Sequence, residues 1–273
     1  MSFSYASVVE TTQLSSRLKR IVLNVDDPVS LDVKNAADSA VGVYFPVEGA
    51  VDAESQEGRN YSVRHHDGAR LTLDIVLHAR GPGTEWASGT GPGDRVGLDH
   101  ARSWYRPEPE AQWQLLVSDL SGLPAVARIV EELSDDTTAI LIIEVASPED
   151  LDYLPTPANV SIVPSIGTGN GVAPSTLART VENLDLPSGR GYCWFAGEAA
   201  ESRTVRKHVR RLGWTIDQYD ITGYWRYDSE AWDARFAERQ DDVLPVYERA
   251  LTEGKGDKIA FEEFDEACER IGL

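Results

Sequence analysis

The chain has 273 residues, 41% of them hydrophobic and 26% charged. That is enough apolar side chain for one large domain or two modest ones at roughly 100–200 residues each, and too much for wholesale disorder. With 26 basic against 45 acidic residues the formal net charge is −19, a surface that repels phosphate backbones and anionic lipid, so nucleic acid is not an expected partner. No apolar run approaches the ~20 residues of a membrane span. The start, Met1 to Tyr5, lacks the basic and apolar segments of a secretory signal. A cytoplasmic protein with no membrane insertion is expected.

In chain order, short alternating or β-branched runs come first. Ser16 to Val25, Val41 to Phe45, Tyr61 to His65, Arg70 to Leu77 and Arg95 to Leu98 read as strands. Turns such as His66-Asp67-Gly68 and Gly91-Pro92-Gly93-Asp94 separate them. Thr84 to Ser88 gives a turn or so of helix. This half predicts an antiparallel sheet or small barrel. After Trp113 the pattern alternates: strands at Trp113 to Ser118, Ala139 to Val145, Val160 to Val163 and Tyr192 to Ala196, helices at Leu123 to Leu133, Pro174 to Leu184 and Glu198 to Leu212. Continuous apolar strands between helices predict a parallel sheet of the nucleotide-binding type. Beyond Arg226 the chain is acidic, with amphipathic helices over Ser229 to Leu251 and around Ile259 to Ile271. The expected domains are 1–110, 111–227 and a helical extension, 228–273.

Cys193 and Cys268 are too few for a disulfide framework or a four-thiolate metal site and read as buried small hydrophobes. Gly167-Thr168-Gly169-Asn170-Gly171 lacks the third glycine of a dinucleotide fingerprint and reads as a flexible loop. The stretch Asp257 to Phe264 lacks the ligands of a calcium loop. No nucleophile elbow or Walker loop is present, and no metal site is expected.

The informative stretch runs from Arg59 to Ala87. On a strand, Arg59, Tyr61 and Val63 share one face, with Ser62 and Arg64 on the other. An arginine can fork onto phosphate, a tyrosine can stack on a flat heterocycle, and a hydroxyl can bond its edge. His78-Ala79-Arg80-Gly81-Pro82-Gly83-Thr84-Glu85-Trp86-Ala87 then runs from strand through a glycine turn into a helix, whose N-terminus suits a pyrophosphate.

These residues resemble the siderophore-interacting proteins, flavin-dependent ferric-siderophore reductases of the ferredoxin–NADP reductase-like superfamily. Arg59 to Arg64 is similar to R-x-Y-T-x-R, with Ser62 for Thr, and His78 to Ala87 to H-G-x-x-G-P-A-[ST]-x-W-A. In Ser118 to Ala125, Asp119, Leu123, Pro124 and Ala125 match G-D-E-T-A-L-P-A. Trp194 to Glu198 and Gly223 to Arg226 match W-x-A-G-E and G-Y-W-R. The resemblance implies a Greek-key β-barrel that holds FAD, then a parallel α/β domain that docks NADPH or NADH. The substrate implied is a ferric siderophore or another ferric chelate.

It also implies residue roles. Arg59 would contact flavin phosphates, Tyr61 would pack along the flavin, and Ser62 would sit near its reactive edge, in a segment that includes Val63 and Arg64. His78, Ala79, Gly81, Thr84, Trp86 and Ala87 would shape the pyrophosphate pocket. Asp119 and Pro124, with Ala196, Gly197 and Glu198, would line the nicotinamide site. Trp225 and Arg226 would face the chelate. No protein acid, base or nucleophile is required, because the cofactor carries the redox chemistry. Two departures bear on substrate. Gly42 stands where the family often has a basic residue, and the acidic block at Asp119 is eroded. A siderophore-binding protein with weak or no reductase activity therefore remains the alternative. Glu144, ending the second strand of the α/β half, favours NADH by its charge. Arg203, Arg206, Lys207, Arg210 and Arg211 on one helix favour NADPH, which leaves the donor open.

Overall fold

The computed structural model describes residues 3–45, 58–78 and 81–273. It divides into two compact units, one running to Tyr224 and the other from Trp225 to Leu273.

The first unit begins with six antiparallel strands: β1 (Ser4–Gln13), β2 (Leu18–Val25), β3 (Ala40–Tyr44), β4 (Gly58–Asp67), β5 (Arg70–Val76) and β6 (Arg95–Arg102). They close into a barrel in the order β1-β2-β5-β4-β3-β6. From β2 the chain crosses to β3 rather than to its own neighbour, a Greek-key connection. Inward residues such as Ile21, Leu23, Val41, Val43, Val63, Leu73 and Leu98 fill the interior. A short helix α1 (Pro28–Leu31) follows β2, and α2 (Pro82–Gly89) covers one end between β5 and β6.

Strand β1 is absent from the sequence reading. Ser4, Ala6 and Val8 point inward, but the pairing with β2 shifts between Val8 and Glu10, and beyond it the run Glu-Thr-Thr-Gln carries no apolar face. Its pairing with β2 and β6, rather than its own pattern, makes it a strand.

The unit continues into a five-stranded parallel sheet ordered β11-β10-β7-β8-β9. Its strands are β7 (Trp113–Ser118), β8 (Thr138–Val145), β9 (Val160–Ile166), β10 (Gly191–Glu198) and β11 (Tyr219–Trp225). Helices α3 (Leu123–Glu132), α4 (Leu177–Glu182) and α5 (Ala199–Arg211) cross between them. Strands β7 and β10 are buried along nearly their whole length, which explains their unbroken apolar sequence. Pro164, which cannot donate to a ladder, sits on the edge strand β9. The chain leaves β7 toward β8 and β9, then returns on the other side for β10 and β11. The crevice between β7 and β10 is therefore the topological switch point.

The second unit is a helical hairpin, α6 (Ser229–Thr252) and α7 (Asp257–Arg270), joined through Gly254 and Gly256 and packed on Val243, Ala267, Cys268 and Leu273. Among the described residues, no helix is long and apolar enough to cross a membrane.

Candidate functional site

Strand β4 joins the barrel to the sheet. Tyr61 and Val63 turn into the barrel, while Arg64 turns toward the α/β half and forks onto Glu131 of α3, 2.6 Å on one arm. Its Nε also donates to the Tyr153 hydroxyl at 3.0 Å. Tyr153 in turn donates to Asp74, which holds Arg20 in a two-pronged pair at 2.7 and 2.8 Å. Arg128 of α3 completes the seam by donating to the Val63 carbonyl at 3.0 Å.

Two sequence expectations change here. Arg64, expected as a member of the cofactor-binding segment, is an arm of this seam with its charge matched by Glu131. Val63 is fully buried in the barrel core with its backbone N–H given to Ser39 and its carbonyl to Arg128, so no polar group is left for a cofactor. Arg59, by contrast, lies on the exposed stretch of β4.

Tyr61 rests beside α2. A Cβ on Gly83 would fall 1.8 Å from the Tyr61 hydroxyl, so the tyrosine is seated in space that a glycine leaves open. Phe45 stacks between, 6.3 Å from Tyr61 and 5.1 Å from Trp86, centroid to centroid. Burial pushes the Tyr61 phenol up to about 12. The helix start follows the expected design: Gly81 has φ +127°, closed to L side chains, Pro82 takes the first turn, and no side chain caps the end. Thr84 folds back to accept the His78 backbone N–H at 3.2 Å, which closes the turn beneath the exposed His78 ring. Ala87 is fully buried in the barrel core and anchors the helix rather than facing a ligand. Ala79 lies outside the described residues.

At the switch point the expected residues do converge. Asp119, 1% exposed, accepts from the Ser121 backbone and hydroxyl at 2.8 and 2.6 Å. A Cβ on Gly197 would sit 3.0 Å from its other oxygen. Gly122 passes so close to Ala196 that a Cβ there would lie 2.8 Å from the alanine methyl. Pro124 occupies the first turn of α3. Glu198 caps α5, accepting from the Ala200 and Glu201 N–H groups at 2.6 and 3.2 Å, which places a carboxylate where a helix would otherwise attract an anion.

Glu144 is reassigned. It is fully buried and accepts from the hydroxyls of Thr168, Ser175 and Thr176 at 2.8–3.0 Å, and from the Thr176 backbone. Asn170, at φ +56°, accepts the Leu120 N–H and donates to the Glu144 and Thr168 carbonyls. The glycine loop is thus fastened down rather than free, and Glu144 is its fastener.

One buried residue of this region, Asp38, carried no local signal. Asp38, fully buried in the loop before β3, accepts from Ser103 Oγ, the Trp104 and Tyr105 N–H groups, and the Trp194 indole. Tyr224 of β11 packs between Trp104 and Trp194 at 6.0 and 6.5 Å. Arg102 donates at 2.8 Å to Asn60 Oδ1, the same oxygen that a Cβ on Gly42 would approach to 3.7 Å. Trp225 closes β11, and within the second unit Arg226 stacks on Trp232 with its guanidinium 4.0 Å from the ring centroid.

Residues 111–228 match the siderophore-interacting protein family, and residues 50–102 match the siderophore-interacting FAD-binding domain. The chain is 30% identical to a siderophore utilization protein from T. fusca, whose crystal structure superposes with a TM-score of 0.72 over 83% of this chain and 93% of that one. It belongs to the siderophore-interacting protein family. Within reach of the family are the ferric vibriobactin reductase of Vibrio cholerae, 27% identical over 74% of this chain and 81% of that protein. A ferredoxin NADP+ reductase from Neisseria gonorrhoeae with bound FAD and NADP shares the fold, at 17% identity and TM-score 0.62 over 82% of this chain and all of that one.

The residues of this siderophore-interacting chain fit a flavin dinucleotide. The hydroxyls of Ser62 and Tyr224 and the indole N–H of Trp86 are all buried without a hydrogen-bond partner among the described residues. Unpaired buried polar groups cost about 1–3 kcal/mol each, so these three donors, one of them on the helix α2 whose start carries no side-chain cap, suit a ligand with a polar rim and a phosphate tail.

Proposed function

We propose that this protein is an FAD-dependent NAD(P)H:ferric-siderophore oxidoreductase. Residues 1–110 form its FAD barrel, 111–227 its nicotinamide dinucleotide half and 228–273 a helical extension. The observation that carries the reading is the seam: Arg64–Glu131 and Arg128–Val63 lock the flavin-motif strand onto α3, the helix that starts at the switch point. A hydride donor and a flavin need that fixed adjacency, since reacting atoms must meet at about 3–3.5 Å.

Arg59 and the start of α2 would hold the FAD phosphates, Tyr61 and Trp86 would flank its ring system, and Ser62 would face its polar edge. His78, Gly81 and Thr84 shape the phosphate turn. Asp119, Pro124, Ala196, Gly197 and Glu198 would hold reduced nicotinamide at the switch point. FAD held there would supply the redox chemistry, accepting a two-electron hydride from the nicotinamide and passing on single electrons, one to each of two Fe(III) chelates. Reduction to Fe(II) weakens the grip of hard oxygen donors on the metal. The chain's own contribution is alignment and exclusion of water. Trp225 and Arg226 would receive the chelate.

The test is an anaerobic visible spectrum of the purified protein loaded with FAD. Bleaching by NADH or NADPH, with colour restored by a ferric chelate, is the expected result. A chain that binds a ferric chelate but takes up no FAD would be the binding protein instead.

A further inference from the structure

Ser62 and Tyr224 come from opposite halves of the first unit. Ser62 lies on β4, paired with Ala40 of β3, and turns out of the barrel. Tyr224 lies near the end of β11, its ring wedged between Trp104 and Trp194, and the Trp194 indole is itself anchored on Asp38. Packing therefore fixes where the phenol points. The Tyr224 hydroxyl is near enough to Ser62 for the serine to bias its ionisation, yet neither oxygen completes a hydrogen bond to a described residue. Burial, reinforced by the Asp38 charge, pushes the Tyr224 phenol well above its ordinary range, against weaker opposing pulls from Ser62 and then Arg102. It is a neutral O–H donor at any working pH.

A serine hydroxyl has one proton and two lone pairs. If Tyr224 donates into Ser62 Oγ, the serine proton is left to point outward, toward whatever acceptor lies at the mouth of β4. We infer that Tyr224 is a positioning residue that orients the Ser62 hydroxyl as a donor to the polar edge of the bound flavin. This rests on the flavoprotein reading above. A donor aimed at the ring edge stabilises the form that carries more electron density, so the pair favours reduced over oxidised flavin.

The test uses the full chain loaded with FAD, in wild type, Tyr224→Phe, Ser62→Ala and the double variant. Phenylalanine keeps the ring between Trp104 and Trp194 and removes only the oxygen. The readout is the flavin midpoint potential by spectroelectrochemical titration, alongside FAD stoichiometry and thermal midpoint. In Tyr224→Phe the reduced-to-oxidised equilibrium should fall about tenfold, a drop of about 30 mV for a two-electron couple, with unchanged stoichiometry. Ser62→Ala should fall as far, and the double variant no further. An unchanged potential in Tyr224→Phe overturns the inference. Additive losses in the double variant overturn the route through Ser62. A wild-type chain that takes up no FAD defeats the flavoprotein reading itself, a separate outcome.

Discussion

The Asp38 carboxylate accepts the indole N–H of Trp194 at 3.2 Å across 156 residues of sequence. The same carboxylate takes the backbone N–H groups of Trp104 and Tyr105 at 2.9 and 2.7 Å, the first residues of the link from barrel to sheet. One buried charge thereby fixes the loop before β3, the interdomain link and the core strand β10. Asp38→Ala leaves four donors without an acceptor and should destabilise the first unit by about 3 kcal/mol or more. Asp38→Asn, which keeps one acceptor oxygen, should cost about half as much. Urea unfolding monitored by tryptophan fluorescence measures both.

The two arginines of the β4 motif should separate cleanly. Arg59→Ala is expected to weaken FAD binding about tenfold, the value of one charge-assisted phosphate contact, with the thermal midpoint of the FAD-free protein unchanged. Arg64→Ala removes the partner of Glu131 and Tyr153, and should lower that midpoint by several degrees while FAD affinity changes less than about threefold. Flavin fluorescence titration and thermal melts decide it. Equal loss of FAD in both variants would contradict the seam assignment of Arg64.

Glu144 offers a test of nucleotide preference. Its oxygens are committed to Thr168, Ser175 and Thr176, so Glu144→Gln should destabilise the loop by about 2 kcal/mol and leave the ratio of KM values for NADH and NADPH nearly unchanged. A shift of tenfold toward NADPH would show instead that the carboxylate reads the ribose.

Alkaline pH should expose the buried tyrosines together. Desolvation pushes Tyr61 and Tyr105 up to about 12, and raises Tyr153 and Tyr192 as well. The folded chain therefore holds protons that the unfolded chain releases near pH 10. The stabilisation is fully present below that pH and is lost as pH rises from about 10 through about 12, at roughly 1.4 kcal/mol per pH unit for each such group. Tyrosinate absorbance from these residues should appear only as far-ultraviolet circular dichroism is lost.

Much of this was legible in residue order alone. Alternation along short strands and unbroken apolar runs such as Trp113–Ser118 follow from how many faces of a strand are buried, a local property that periodicity records. Gly81 and Pro82 announced a helix start because backbone conformation is also local. That Asp119 and Gly197 lie side by side at the ends of β7 and β10 was accessible through sheet connectivity, since neighbouring parallel strands end together.

The rest needed the third dimension. Strand β1 exists through its neighbours, since its second half has no apolar face to read. Arg64 matched a cofactor motif letter for letter, yet Glu131, 67 residues on, claims its charge. Glu144 looked like a ribose ligand until three hydroxyls of a later loop closed over it. Asp38 gave no warning, and Tyr224 showed only as a letter of the Gly223–Arg226 block, because a buried polar group is defined by which distant donors and rings surround it. Sequence spacing sets which side chains share a face; only packing decides whether a polar side chain is already satisfied by the protein or left waiting for a ligand.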